Sequence, residues 1–171
     1  MSLHQLDDSE RAGVAALEGY GILDTPNEPE FDEIVREAAA IFHTPIALIS
    51  LLDENRQWFK AKVGMEASET PRSISFCTHA IRGHGVFSVP DTTRDERFAS
   101  NPLVTEDPGI RSYAGAPLKT VDGIRMGTLC VLDTEPGRVL TTEEQALLHE
   151  LADRVVLAME HRRATMTAGN A

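Results

Sequence analysis

Seven residues constrain this chain more than any others. Ile46-Ala47-Leu48-Ile49-Ser50-Leu51-Leu52 is apolar at every position but Ser50. A strand that shows neither face to water reads this way, so the chain must supply covering layers on both sides of it. Asp53-Glu54-Asn55 then makes a turn, and Arg56 to Val63 follows as a second strand. The two form a hairpin, which makes their pairing antiparallel. Regular alternation in the second strand predicts Gln57, Phe59, Ala61 and Val63 on one face and Trp58, Lys60 and Lys62 on the other.

The flanking segments supply one cover. A first helix is predicted from about Ser9 to Tyr20, with Asp7 or Asp8 as its cap, Gly19 and Gly21 at its end, and a weak apolar face of Val14 and Leu17. Asn27-Glu28-Pro29-Glu30 has capping-box spacing before a second helix. There Phe31, Ile34, Val35, Ala38, Ile41 and Phe42 recur at three and four, and Pro45 ends the run. Thr141-Thr142-Glu143-Glu144 repeats the capping-box spacing at the start of a long final helix. In that helix Leu148, Leu151, Val155 and Ala158 have the spacing of a helix-pair seam. Tyr113–Leu118 and Gly127–Asp133 are the last strands, with Asp122-Gly123 as the hairpin turn.

Between the hairpins, Gly64 to about Ile110 is irregular and broken by Pro71, Pro90, Pro102 and Pro108. A short helix from Phe76 to about His84, capped by Ser75, and a short strand from Val86 to Val89 are its only predicted elements. A stretch of this length in a compact domain is usually functional. The element order gives an α+β domain: an antiparallel sheet with helices packed on one face.

The 171 residues suit one domain, and that length buries a core without disulfides or metal. A formal net charge of −11 sets the chain against nucleic acid and anionic lipid surfaces as partners. No apolar run reaches the length of a membrane span, and the N-terminus lacks the pattern of a signal peptide. Two cysteines, Cys77 and Cys130, are too few for a disulfide scaffold, so the expected compartment is the cytoplasm. The expected division is an N-terminal segment over 1–8, in which Met1-Ser2-Leu3 reads as an expression remnant, a single domain over 9–163 and a disordered tail over 164–171.

Several segments in order resemble the GAF family of sensor domains, in the bacterial branch that precedes histidine kinases and diguanylate cyclases. They include Tyr20-Gly21-Ile22-Leu23-Asp24-Thr25, Pro45 to Asp53, Arg56-Gln57-Trp58-Phe59-Lys60 and Pro71-Arg72. Ser75-Phe76-Cys77-Thr78-His79-Ala80-Ile81, Val89-Pro90-Asp91-Thr92, Asp95-Glu96-Arg97-Phe98, Ile110 to Leu118 and Gly127 to Asp133 continue the series. The resemblance covers residues 11 to about 160. It implies helices on one side of the sheet and, on the other, a small-molecule pocket roofed by the irregular segment. It also implies a homodimer through the first and last helices and an output partner such as a histidine kinase or cyclase. No output domain follows the last helix here, so the chain is expected either to act alone or to be an excised piece.

The pocket residues proposed on this basis are Trp58, Cys77, His79, Asp91, Thr92, Arg97, Phe98 and Tyr113. Trp58, Phe98 and Tyr113 offer aromatic walls or ordinary core. Asp91 and Thr92 follow a strand end and can lean over a pocket. Arg97 can clamp an oxyanion or pin its own loop through an acid, and Asp95 reads as a helix cap. Cys77 and His79 stand near the start of a helix and either face a ligand or pack as core. Bilin-attaching relatives place histidine directly after the attaching cysteine, whereas Thr78 intervenes here. Neither haem nor bilin nor any other cofactor is predicted. Cys77, His79 and His84 cannot converge on a metal from one short helix. The cyclic-nucleotide motif of the family is missing. Two alternatives to a sensor stay open: a cysteine redox enzyme similar to free-methionine-sulfoxide reductase, and a dimerisation module that binds nothing.

Overall fold

A computed structural model describes residues 6–169. The expectation for Met1-Ser2-Leu3 and the last two residues of the expected tail lie outside them. Three long helices, α1 (Asp8–Tyr20), α2 (Pro29–Phe42) and α5 (Thr142–Gly169), flank a six-stranded antiparallel sheet. Its strands are β1 (Ile46–Leu52), β2 (Arg56–Val63), β3 (Glu69–Pro71), β4 (Phe87–Val89), β5 (Ser112–Lys119) and β6 (Arg125–Asp133). They run in the order β3-β2-β1-β6-β5-β4, so β1 sits near the centre and is buried along its whole length. The short helices α3 (Cys77–Ala80) and α4 (Pro102–Thr105) belong to the irregular segment.

The helix starts follow their local chemistry. Asp7 caps α1 by accepting from the Glu10 amide at 2.7 Å, and Glu10 reaches back to complete a capping box. Thr141 and Glu144 do the same for α5. The box expected before α2 does not form. Glu28 is the cap residue without a side-chain cap bond, and Pro29 opens the helix with its fixed φ. Glu28 is instead turned toward the sheet, where Lys60 claims its carboxylate. The final helix continues to Gly169, past the point at which the tail was expected to begin.

Alternate residues of the strands feed two apolar clusters, one per face. On the helix face Ala47, Ile49, Leu51, Ala116, Leu118, Leu129 and Val131 meet Leu17, Phe31, Val35 and Phe42. Leu148, Leu151, Val155 and Ala158 are all buried in this same cluster. The spacing read as a seam for a second copy is therefore the face that α5 lays on its own sheet. A stripe at three and four reports burial without saying against what. Gly13 lets α1 settle on the sheet, since a Cβ there would stand 2.6 Å from the Arg125 carbonyl oxygen.

A bulge breaks the alternation expected in β2. Ile49 pairs with Ala61 and Ser50 with Phe59, which leaves Lys60 as the extra residue. Ala61 is thereby moved to the helix face beside Trp58, while Phe59 stays on the opposite face. Lys60 is fully buried, with its ammonium 5.3 Å over the Phe31 ring. It donates to Thr25 Oγ1 at 2.8 Å, to the Pro26 carbonyl at 2.7 Å and to the Glu28 carboxylate. Arg162 of α5 donates to the same carboxylate at 2.8 Å. Burial alone would raise the Glu28 carboxyl, but the bonds from Lys60 and Arg162 outweigh it and hold it below the usual range.

Candidate functional site

The outer face of the sheet is covered by the irregular segment, as expected, but the hollow expected at its centre is filled. Phe76 stacks on Phe98 at 4.3 Å between ring centroids and lies 5.2 Å from Tyr113. Phe98 and Tyr113 are buried, and with Phe59, Ile110, Cys130 and Leu132 they make the second apolar core. The Tyr113 hydroxyl shares a 3.4 Å hydrogen bond with Thr128 Oγ1, and burial pushes its pKa up. Gly115 makes room for that ring, since a Cβ there would stand 2.3 Å from the hydroxyl oxygen.

The eight residues expected at a pocket do not converge. Trp58 belongs to the helix-side core, on the other face of the sheet from Phe98 and Tyr113, because simple alternation puts it opposite the outward-facing Phe59. Asp91 caps the turn Thr92–Arg94, accepting from the Thr93 amide at 3.0 Å and its hydroxyl at 2.6 Å. Those bonds hold its carboxyl below the usual range. Thr92 has no exposed surface and donates to the Ile110 carbonyl at 2.7 Å. Arg97 makes a bidentate pair with Asp95, at 3.0 and 2.6 Å, and lies 5.0 Å over the Phe87 ring. Asp95 thus accepts from Arg97 and its amide, and pins the loop. Cys77 is wholly buried against Leu52 and Ile81, and burial pushes its thiol up to about 12. Cys130 is buried in the aromatic core, with its thiol likewise pushed up.

Of the eight, His79 lines a cavity in the irregular segment. It is half-buried, edge-on to Phe98 at 5.0 Å. Burial, then Arg82 and Arg97, lower its pKa against the opposing pull of Asp95, so the imidazole is neutral at pH 7. Beside it a cavity of about 260 Å³ is lined by Arg72, Ser73, Ser75, Thr78, His79 and Arg82.

The walls of this cavity are held from beneath. Arg72 follows β3 on a single 3-10 turn and is 5% exposed. Its Nη1 donates to the Asp53 carbonyl at 2.8 Å, and its Nη2 to Glu10 Oε2 at 2.7 Å. Ser75 donates to Gln57 Oε1 at 3.0 Å and accepts from the Thr78 amide at 3.2 Å. Gln57 is fixed in turn by Thr70 at 2.9 Å. Ser75 is not the expected cap of α3: that helix covers only Cys77–Ala80, and its cap residue is Phe76, without a side-chain cap bond. Two polar atoms of these walls have no partner although both are buried: Arg72 Nε and Thr78 Oγ1. Ser50 Oγ, on the outer face of β1, is the third such atom among the described residues. Buried polar atoms are nearly always satisfied, so two in the walls of one cavity mark it out.

Two larger clefts lack this property. One of about 370 Å³ lies between Tyr20, Val121, Glu160 and Arg163, where Tyr20 already donates to Glu160 and Arg163 pairs with it at 2.6 Å. One of about 410 Å³ lies between Gly64–Ala67 and Leu103, Asp107 and Pro108. Neither contains a buried polar atom without a partner.

Reasoning from sequence missed Arg72, Ser73, Ser75, Thr78 and Arg82 as wall residues. The available signal was Pro71-Arg72-Ser73-Ile74-Ser75, a cation set among hydroxyls in the irregular part of an acidic chain. Among the described residues no three His, Cys, Asp or Glu side chains gather as a metal site would need, and no helix is long and apolar enough to cross a membrane.

The architecture has close counterparts. The GAF domain of an Acinetobacter phosphoenolpyruvate-protein phosphotransferase superposes with a TM-score of 0.63 at 17% identity, covering 97% of this chain and 100% of that one. Type II free methionine-R-sulfoxide reductase from Thermoplasma acidophilum superposes with a TM-score of 0.62 at 12% identity, covering 90% and 96%. At such identities the likeness speaks for the fold alone. In sequence, the chain is 46% identical over 154 residues to a cyclic di-GMP phosphodiesterase of Pseudomonas aeruginosa. The match takes in 90% of this chain and 26% of that protein, so the chain spans about a quarter of its curated relative. The family model described as GAF domain matches residues 27–159, from the cap of α2 through the sheet and well into α5, and the chain belongs to the GAF domain family.

Proposed function

We propose that this chain is a sensory GAF module that binds a small molecule in the cavity beside α3 and passes the bound state to its terminal helices. One observation carries the reading: the cavity wall contains Arg72, whose side chain is buried, incompletely partnered and bonded to Glu10 in the first turn of α1. Glu10 also closes the capping box that starts that helix. A ligand that draws on Arg72 changes what Glu10 has to hold, and a state that binds ligand better is the state the ligand populates. Pairing of two copies through α1 and α5 is part of the same proposal. On α5 it would use the side carrying Leu157, which is 67% exposed, and not the Leu151 stripe.

The 46% identical relative is named as a cyclic di-GMP phosphodiesterase, which supports a place beside a cyclic-nucleotide enzyme as the output. We assign this chain the regulatory part of such a protein. A redox role at Cys77 is the weaker reading, since a thiol with no exposure and a pKa of about 12 supplies almost no thiolate at neutral pH.

A melting screen of the chain against millimolar anionic, neutral and cationic metabolites tests the proposal. At least one compound should raise the midpoint, since a ligand at 100 times its Kd adds about 2.7 kcal/mol. A flat screen across all three classes would leave the non-binding dimerisation module as the better description.

A further inference from the structure

The sensory reading leaves the ligand's chemistry open, and the cavity walls narrow it. Resting on that reading, we infer that the cavity beside α3 selects a small oxyanion, a phosphate or carboxylate group, held between Arg72, Arg82 and the hydroxyls of Ser73 and Thr78.

Charge is the first argument. The chain has a formal net charge of −11, yet the six lining residues are two arginines, a histidine, two serines and a threonine, with no carboxylate. An acidic protein that keeps acids out of one concave site has made a local exception to its own field. Glu10 balances Arg72 from behind, at 2.7 Å. Arg82 is exposed and lines the cavity, and no ion pair balances it among the described residues.

Donor supply is the second argument. Arg72 spends Nη1 and Nη2 on Asp53 and Glu10 and has Nε left over, buried. Thr78, also nine-tenths buried, has a hydroxyl without a partner. Unsatisfied buried donors are costly, and both belong to side chains that line the cavity, so a small turn of either toward an acceptor group there would relieve it. A neutral apolar guest would leave both unmet, and a cation would face two guanidiniums. An oxyanion has several lone pairs and suits convergent guanidinium and hydroxyl donors. His79 completes the wall on the side of Phe98, with Arg82, Arg97 and Asp95 as the charged groups around it. Its neutral ring donates one N–H without adding charge.

The assignment also explains how occupancy reaches α1. An oxyanion at Arg72 competes with the Glu10 carboxylate for the same guanidinium, and Glu10 belongs to the capping box of α1.

The test is calorimetric titration of the 171-residue chain with inorganic phosphate and, separately, with succinate, at low and moderate salt. Saturable binding of one of them is expected, and which one binds separates a phosphate-bearing from a carboxylate-bearing ligand. Arg82→Gln, at an exposed position, should keep the fold and weaken binding about tenfold or more. Thr78→Val should weaken it less while leaving the melting curve cooperative. If neither anion binds, or if Arg82→Gln leaves the affinity unchanged, the oxyanion assignment is overturned. A neutral hit in the wider melting screen, with both anions silent, would overturn the ligand class alone and leave the sensory reading standing. Silence in both experiments would remove the two together.

Discussion

The two faces of the sheet solve the same problem in different ways. On the helix side, three regular helices lay periodic apolar stripes on the strands, and the buried polar groups there are satisfied. Lys60, the most costly of them, has three acceptors and an aromatic face. On the outer side the cover is short, irregular and rich in polar side chains. All three unpartnered buried polar atoms among the described residues, of Ser50, Arg72 and Thr78, belong to that side. Under the proposed function, the difference marks where stability and ligand binding would divide in this molecule. A face built for stability alone has no reason to keep unmet donors, whereas one that receives a guest keeps donors for the guest to meet.

That contrast can be broken in four places. The largest effect is expected at Leu151, where Leu151→Ala should cost about 2–5 kcal/mol in urea unfolding, because it opens a cavity in the helix-side core. A near-neutral result would mean that Leu151 is not packed on its own sheet. Lys60→Met comes next, with a loss of about 1.5–3 kcal/mol from its charged hydrogen bonds. Arg162 keeps its bond to Glu28 in that variant and limits the damage. A stabilised Lys60→Met protein would show that the helix side tolerates polar burial no better than the outer side does.

Thr78→Val should move the other way, from no change to a gain of about 1 kcal/mol, since it deletes an unmet hydroxyl at nearly constant shape. A clear loss would reveal a partner for that hydroxyl and remove one of the three atoms on which the contrast rests. The smallest effect is acid sensitivity through His79. Its folded pKa lies below the value of the unfolded chain, so the unfolded state binds the proton first. Stability should be full above about pH 6.5. It should fall as pH drops from there through the folded pKa, and His79→Gln should flatten that limb. A limb that survives the substitution would locate the titration elsewhere.

Much of the helix side was legible in the sequence. The stripe from Phe31 to Phe42, the buried strand Ile46–Leu52, the cap at Asp7 and the capping box at Thr141 state local rules that the fold obeys. The partner of a stripe is less legible: Leu148, Leu151, Val155 and Ala158 would look the same against a second copy or against a sheet. The bulge at Lys60 is set by cross-strand register, which no local pattern encodes, and it put Ala61 on the same face as Trp58. The Arg72–Glu10 pair joins residues 62 apart in the chain, and the missing partner of Thr78 Oγ1 is a property of packing. His79, which lines the cavity, was singled out in the sequence because it stands near the start of a predicted helix in the irregular segment. The rest of the cavity was hidden because short irregular segments are positioned by tertiary contacts alone.

The most direct test of the account is amide hydrogen exchange on the chain with and without the compound that most raises its melting midpoint. The account predicts slowed exchange over residues 72–82 and altered exchange in the first turn of α1, around Glu10, with the interior of α2 unchanged. Protection confined to 64–67 and 103–108, or to the cleft between Tyr20 and Glu160, with residues 72–82 unaffected, would contradict it.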